Sequence, residues 1–249
     1  MNQPASNSVH SAGITTTAGS TIPAGIAIAA ATILSILFVA LDDSATGASP
    51  LAILQSMIAM TAMKQVVHGV AIASVLAYAF GYSSLAVKLD VRRPLVLAGL
   101  TTYLIGCVAM IGATMLDGFI SSDVASQFAG ASPEGVKLGY NLVVFMGIAL
   151  TDLAKLGWIL QAVAAIAWSI SLLAERGFSR FSHVIGWIGL ASGGLVIVVV
   201  VSAGANMSMA ALLGTLAAQA IWNLAAAALL IRDKGINTWM ESGSLQHAA

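Results

Sequence analysis

Charge is what this chain has little of. Asp, Glu, Lys and Arg make up 8% of its 249 residues, against roughly 25% in a soluble domain. A water-soluble globular surface cannot be built from so few. The ten basic and ten acidic side chains cancel, so no net positive charge is available to grip nucleic acid. Cysteine is scarcer still: Cys107 stands alone, inside an apolar run. That excludes an internal disulfide and any cluster that needs several thiolates. No P-loop, Gly-x-Ser-x-Gly elbow or His-Glu-x-x-His pattern occurs, so ATP-driven and common hydrolase readings have no support. The four histidines, His10, His68, His183 and His247, are too scattered to place two haem ligands at one depth in one chain.

Apolar length takes the place of charge. Hydrophobic residues are 59% of the chain and mean hydropathy is +0.94. Six runs predict membrane-spanning helices: 22–41, 67–87, 95–116, 153–174, 184–203 and 210–231. Each is close to the ~20 residues needed to cross hydrocarbon. The runs are continuous rather than alternating, which favours helices over a barrel. The expected fold is therefore all-α, a polytopic membrane bundle of six transmembrane helices with two short outer helical segments. Residues 1–21, rich in Ser, Thr, Asn and Gly, read as a disordered cytoplasmic tail. Residues 22–231 form the transmembrane domain, and 232–249 a cytoplasmic C-terminal tail. No Lys or Arg precedes the first run, so a cleaved signal peptide is not expected.

The basic residues sort by loop. Lys88, Arg92 and Arg93 follow the second run, Arg176 and Arg180 the fourth, Arg232 and Lys234 the sixth. The opposite loops hold Asp42, Asp43, Asp117, Asp123, Glu134 and Lys137. The positive-inside rule then puts both termini in the cytoplasm. Two outer stretches, 51–63 and 138–151, are apolar but too short to cross. They read as interfacial helices, partly re-entrant helices or extensions of spans. Residues 51–116 and 138–203 share a layout: an outer segment, a lysine (Lys64, Lys155), a span, a basic turn and a glycine-containing span. This is either an internal repeat about an axis along the membrane normal or the common look of two apolar hairpins.

Three segments carry a resemblance: Met63 to Gly69 (MKQVVHG), Arg92 to Leu100 (RRPLVLAGL) and Leu153 to Trp158 (LAKLGW). They resemble small six-span bacterial inner-membrane proteins of uncharacterised activity, over most of residues 51–190. The resemblance implies a bacterial inner membrane and names no activity.

Three constellations are candidates for chemistry. Lys64 and His68, four apart, share a helix face at the outer boundary. They suit an anionic headgroup or substrate, or else anchor the helix at the interface. Asp152 and Lys155, three apart, predict an ion pair at similar depth. Together the four residues outline an outer-face binding site. Met57, Met60 and Met63, spaced by three, could with His68 offer soft ligands to Cu(I). Methionine also fills irregular helix contacts. Within the spans, Gln161, Gln219 and Asn223 read as interhelical hydrogen-bonding groups, and Gly189 and Gly193 as a close-packing pair. The expected function is handling of a small solute, lipid or ion at the outer face, or service as an accessory membrane subunit. Alternatives are a Cu(I)-handling protein and a membrane-embedded enzyme acting on an amphiphile through Lys64, His68 and Asp152. No catalytic residue is assigned. The expected partners are the bilayer and a membrane protein or second copy, not nucleic acid.

Overall fold

The computed structural model describes residues 20–41, 45–174, 179–204 and 207–232. Both tails, with His10, Lys234 and His247, lie outside the described residues, as do Asp42, Asp43 and Arg176. Among the described residues every regular element is helical. The helices are α1 (Ile22–Val39), α2 (Pro50–Ala59), α3 (Thr61–Lys88), α4 (Pro94–Met115), α5 (Ser121–Phe128), α6 (Pro133–Ala174), α7 (Arg180–Ser202) and α8 (Met209–Arg232). A π-helical turn, Leu116–Ile120, joins α4 to α5 without a break in direction.

Local chemistry sets the ends. Pro94 and Pro133 open α4 and α6, where a missing N–H costs nothing. Ser49 caps α2, its Oγ accepting from Ala52 N–H at 3.3 Å. Ser179 caps α7 in the same way. Asp90, at φ 68°, makes the tight turn from α3 to α4, a left-handed position that Asp tolerates better than most residues. Gly204, at φ 59°, follows α7.

Five helical stretches are long and apolar enough to cross a membrane: Thr61–Lys88, Pro94–Phe128, Pro133–Ala174, Arg180–Ser202 and Met209–Arg232. The chain is a multi-pass membrane protein. The first run is shorter than expected, since α1 has 18 residues and ends at Val39. It nevertheless packs between α3 and α8. The contacts then close a ring in the order α1, α3, α4, α6, α7, α8 and back to α1. Neighbours run antiparallel. Gly25 meets Leu230 at the start of α1 and the end of α8, and Gly81 meets Ile28 across α3 and α1. Along α4 and α6, Gly99 meets Trp168, Gly106 meets Gly157, and Gly112 meets Leu153.

Side-chain size is distributed as lipid demands. Outward positions carry large apolar groups, among them Val108, Trp187, Val198 and Val201, each more than 60% exposed. Inward positions carry many small and aromatic residues, with Ile28, Leu85, Leu172 and Ile185 packed among them. Gly106 and Gly157 let α4 and α6 approach closely, because a Cβ on either would lie 3.0–3.1 Å from the other's carbonyl oxygen. Such contacts replace the hydrophobic effect, which does not act between helices in lipid. The ring's centre is filled by Tyr82, Tyr103, Trp168 and Trp222, one from each of four helices. Tyr82 is fully buried, with centroids of the other three rings at 4.5, 5.1 and 6.3 Å.

Two stretches depart from the expected loops. The helix that begins at Pro94 continues through Asp117 to Phe128, and α6 begins at Pro133 instead of residue 153. Residues 138–151 are thus an extension of the fourth span. Acidic residues ended the hydropathy run at 117, but no proline intervenes before Pro133, so the backbone stays helical. The 42 residues of α6 measure about 63 Å at 1.5 Å each, twice the ~30 Å of hydrocarbon. Its first half, α5 and α2 pack together outside the ring, around Leu54, Met57, Ala125 and Val136. The stretch 51–63 is different: it breaks at Met60 (φ −95°, ψ 0°) between α2 and α3. The two halves of the suggested repeat therefore differ in their outer segments.

Candidate functional site

The charged groups that converge lie where the ring meets this outer cap. Lys64 and His68 sit one turn apart on α3. His68 is 20 residues before Lys88, so it lies about 30 Å from the basic end of the helix, one hydrocarbon thickness away. Facing them is Asp117, the second residue of the π-helical turn. Lys64 Nζ lies 2.8 Å from Asp117 Oδ1, and His68 Nε2 lies 3.1 Å from Oδ2. The Lys64 and His68 side chains are each 9% exposed, and Asp117 is 26% exposed. Both carboxylate oxygens are thus engaged by cationic or hydrogen-bonding groups, and the group reaches the protein surface on the Asp117 side.

Local sequence makes the approach possible. A Cβ at Gly118 would lie 2.3 Å from His68 Cβ and 2.5 Å from His68 Cγ. Only glycine lets the imidazole rest against this backbone. The π turn inserts one extra residue per turn and re-aims the side chains around it, and such turns recur at functional sites. Ser121 Oγ donates to Leu116 O at 2.6 Å, satisfying a carbonyl inside the widened turn.

The histidine contacts fix its chemistry. His68 Nδ1 lies 2.8 Å from the carbonyl oxygen of Lys64. A carbonyl only accepts, so Nδ1 must donate. Nε2 faces a carboxylate oxygen, which as an anion also only accepts. Both bonds are made together by the imidazolium form. Sequence reading found Lys64 and His68 but placed Asp117 in an outer loop. It is 53 residues from Lys64, and nothing local marks it as their partner.

The other anticipated residues are placed elsewhere. Lys155 donates to the carbonyl of Gly204, where a lysine suits the end of α7. The expected Asp152–Lys155 ion pair is corrected: among the described residues no ion pair joins them, and Asp152 is exposed. The C-terminal carbonyls of α7 draw the ammonium instead. Met57 is buried among Leu54, Ala125 and Val136, Met60 occupies the break, and Met63 is 56% exposed. Met207 packs on a different cluster, around Trp158 and Val196, and Met209 is exposed. With both His68 nitrogens engaged, a metal there would have to displace the Lys64 carbonyl or Asp117. Among the described residues no group of three His, Cys, Asp or Glu is placed to hold a metal ion.

Gln161 and Gln219 meet inside the ring, Gln219 Nε2 donating to Gln161 Oε1 at 3.3 Å. Asn223 accepts from Tyr82 O–H at 2.6 Å. Gly189 and Gly193 lie within the bundle, Gly189 against Ser169 and Trp222 and Gly193 against Ala162 and Ile166. The opposite end of the ring gathers the basic groups. Arg232 lies 4.6 Å over the Phe181 ring, Lys88 donates to Leu229 O at 3.4 Å, and Arg93 Nε is 4.0 Å from Asp90.

No protein-family model, curated protein or solved structure matches the chain.

Proposed function

We propose that this multi-pass protein handles a small anion at the membrane face opposite its basic loops, through Lys64, His68 and Asp117. The single observation that supports the reading is the doubly engaged carboxylate: two buried cationic side chains share one acid. Burying charge at this depth is costly, and a merely structural tie needs one cation, not two. The two donors and the partial exposure of Asp117 suit an incoming phosphate or carboxylate that competes for them. We place the basic end in the cytoplasm by the positive-inside rule, and the protein in a bacterial inner membrane by the resemblance of residues 51–190. The ligand is then met on the outer side.

The anion could be free or a lipid headgroup, and binding distinguishes them. Full-length protein in phosphatidylcholine nanodiscs is titrated with inorganic phosphate and, separately, with short-chain phosphatidylglycerol. Charge-assisted hydrogen bonds contribute ~1.5–3 kcal/mol, so Lys64→Gln should weaken the preferred anion by roughly tenfold or more while helicity is unchanged. Equal affinities in wild type and variant would refute the site.

A second reading, an accessory subunit or homo-oligomer, has its own support. Leu138, Leu142, Phe145 and Ile148 lie exposed along the α6 extension, beyond the length needed to span the bilayer. A partner seated there would cover them.

A further inference from the structure

The ring contains a second polar place, at mid-depth and without charge. A cavity between α4, α6, α7 and α8 is lined by Tyr103, Gln161, Ser192, Gln219, Trp222 and Asn223. It offers about 20 Å³ to the centre of a water-sized molecule, and one water needs roughly 10–15 Å³ on that measure. Trp222 is 4% exposed, and its indole N–H has no acceptor among the described residues. An indole nitrogen only donates, so whatever satisfies it must accept. The Gln161–Gln219 and Tyr82–Asn223 bonds use only part of each amide's capacity. Further donors and acceptors therefore remain on the cavity wall.

Helix register gives the depth. Gln161 is 13 residues from Ala174, and Gln219 is 13 from Arg232, each about 20 Å from the basic end. Tyr82 and Trp168 are six residues from the ends of their helices, about 9 Å from that end. The aromatic layer thus closes the ring on the basic side of the cavity.

We propose that this cavity binds water, held by the Trp222 indole N–H and the amide groups of Gln161, Gln219 and Asn223. The walls are neutral, and six polar side chains stand among Ala162, Ala165, Gly193, Val196 and Ala218. An apolar void of this size would stay dry, and an ion would find no counter-charge. The space is too small for a solute of several heavy atoms. Water reaching this depth stops at the Tyr82, Tyr103 and Trp168 layer, so the site is a dead end and not part of a conduit.

The test uses full-length protein in nanodiscs with ¹⁵N-labelled tryptophan and NMR magnetisation transfer from water. Trp222→Phe assigns the signal. Trp168 is the internal control, because its Nε1–H is already bonded to Val96 O at 3.3 Å. Transfer to the Trp222 indole proton is expected, and none to Trp168. Ala218→Val fills the cavity from its wall and should abolish the Trp222 transfer. No transfer to Trp222 in the wild type overturns the proposal, and this result does not depend on the variant folding. Undiminished transfer in Ala218→Val overturns the assignment to this cavity.

Discussion

Asp117 decides the energetics of the outer group. Without its carboxylate, the buried Lys64 and His68 side chains lose the acid they share. Removing one partner of a buried pair costs ~3–5 kcal/mol, and the partial exposure of Asp117 puts Asp117→Asn nearer 2–3 kcal/mol. Replacing both Asp117 and Lys64, by Leu and Met, removes the two opposite charges of that pair together. The double variant should therefore lose less than the sum of its single variants, by about 1 kcal/mol or more. Reversible denaturant unfolding in detergent measures this cycle, and additive losses would mean the two side chains do not couple. Lys64 and His68 were legible in the sequence because a four-residue spacing puts them on one face. Asp117 was not, because a carboxylate after an apolar run looks like the start of a loop. Lys155 was legible as a polar residue at the start of an apolar run. Its attachment to Gly204 was not, since backbone carbonyls at a helix end carry no mark in the sequence.

At the scale of elements, glycine separates tight crossings from open surface. A Cβ at Gly189 would come within 2.1 Å of Ser169 Oγ and 2.5 Å of Trp222, whereas one at Gly194, in the same helix, meets nothing within 4 Å. Gly189→Ala should lower stability by ~1–3 kcal/mol through overpacking. Gly194→Ala should be neutral or stabilising by up to ~1 kcal/mol through helix propensity. Thermal unfolding of both variants in one detergent compares them, and equal effects would contradict the packing described. Gly118→Ala forces His68 off the π turn. It should weaken anion binding as well as stability, which the nanodisc titration reads separately. Helix type was legible throughout the spans, where apolar runs leave few alternatives. The ends of the outer elements were not. Hydropathy marks where lipid ends, while the backbone stays helical until Pro133 opens the next helix. The π turn has no recognised sequence signal beyond Gly118 beside Asp117.

At the scale of the whole molecule, six helices among the described residues from Thr21 to Arg232 close an antiparallel ring. Its centre is plugged by aromatics, Lys88, Arg92, Arg93, Arg180 and Arg232 lie at one end, and the triad of Lys64, His68 and Asp117 lies at the other. The all-helical, multi-pass architecture was legible, because the apolar runs are continuous and of spanning length. Five crossings follow from length and apolarity alone, and the sixth rests on α1, an 18-residue helix seated between α3 and α8. Without that crossing the ring opens, and the triad can no longer be assigned to the face opposite the N-terminal residues. Side-specific labelling addresses this directly. Single cysteines are placed at Ser20, Ala48, Arg92 and Ser132 in a Cys107→Ala background, and a membrane-impermeant maleimide is applied to sealed vesicles of known orientation. The account predicts that positions 20 and 92 react from one side, and 48 and 132 from the other. Labelling of 20 and 48 from the same side would contradict it.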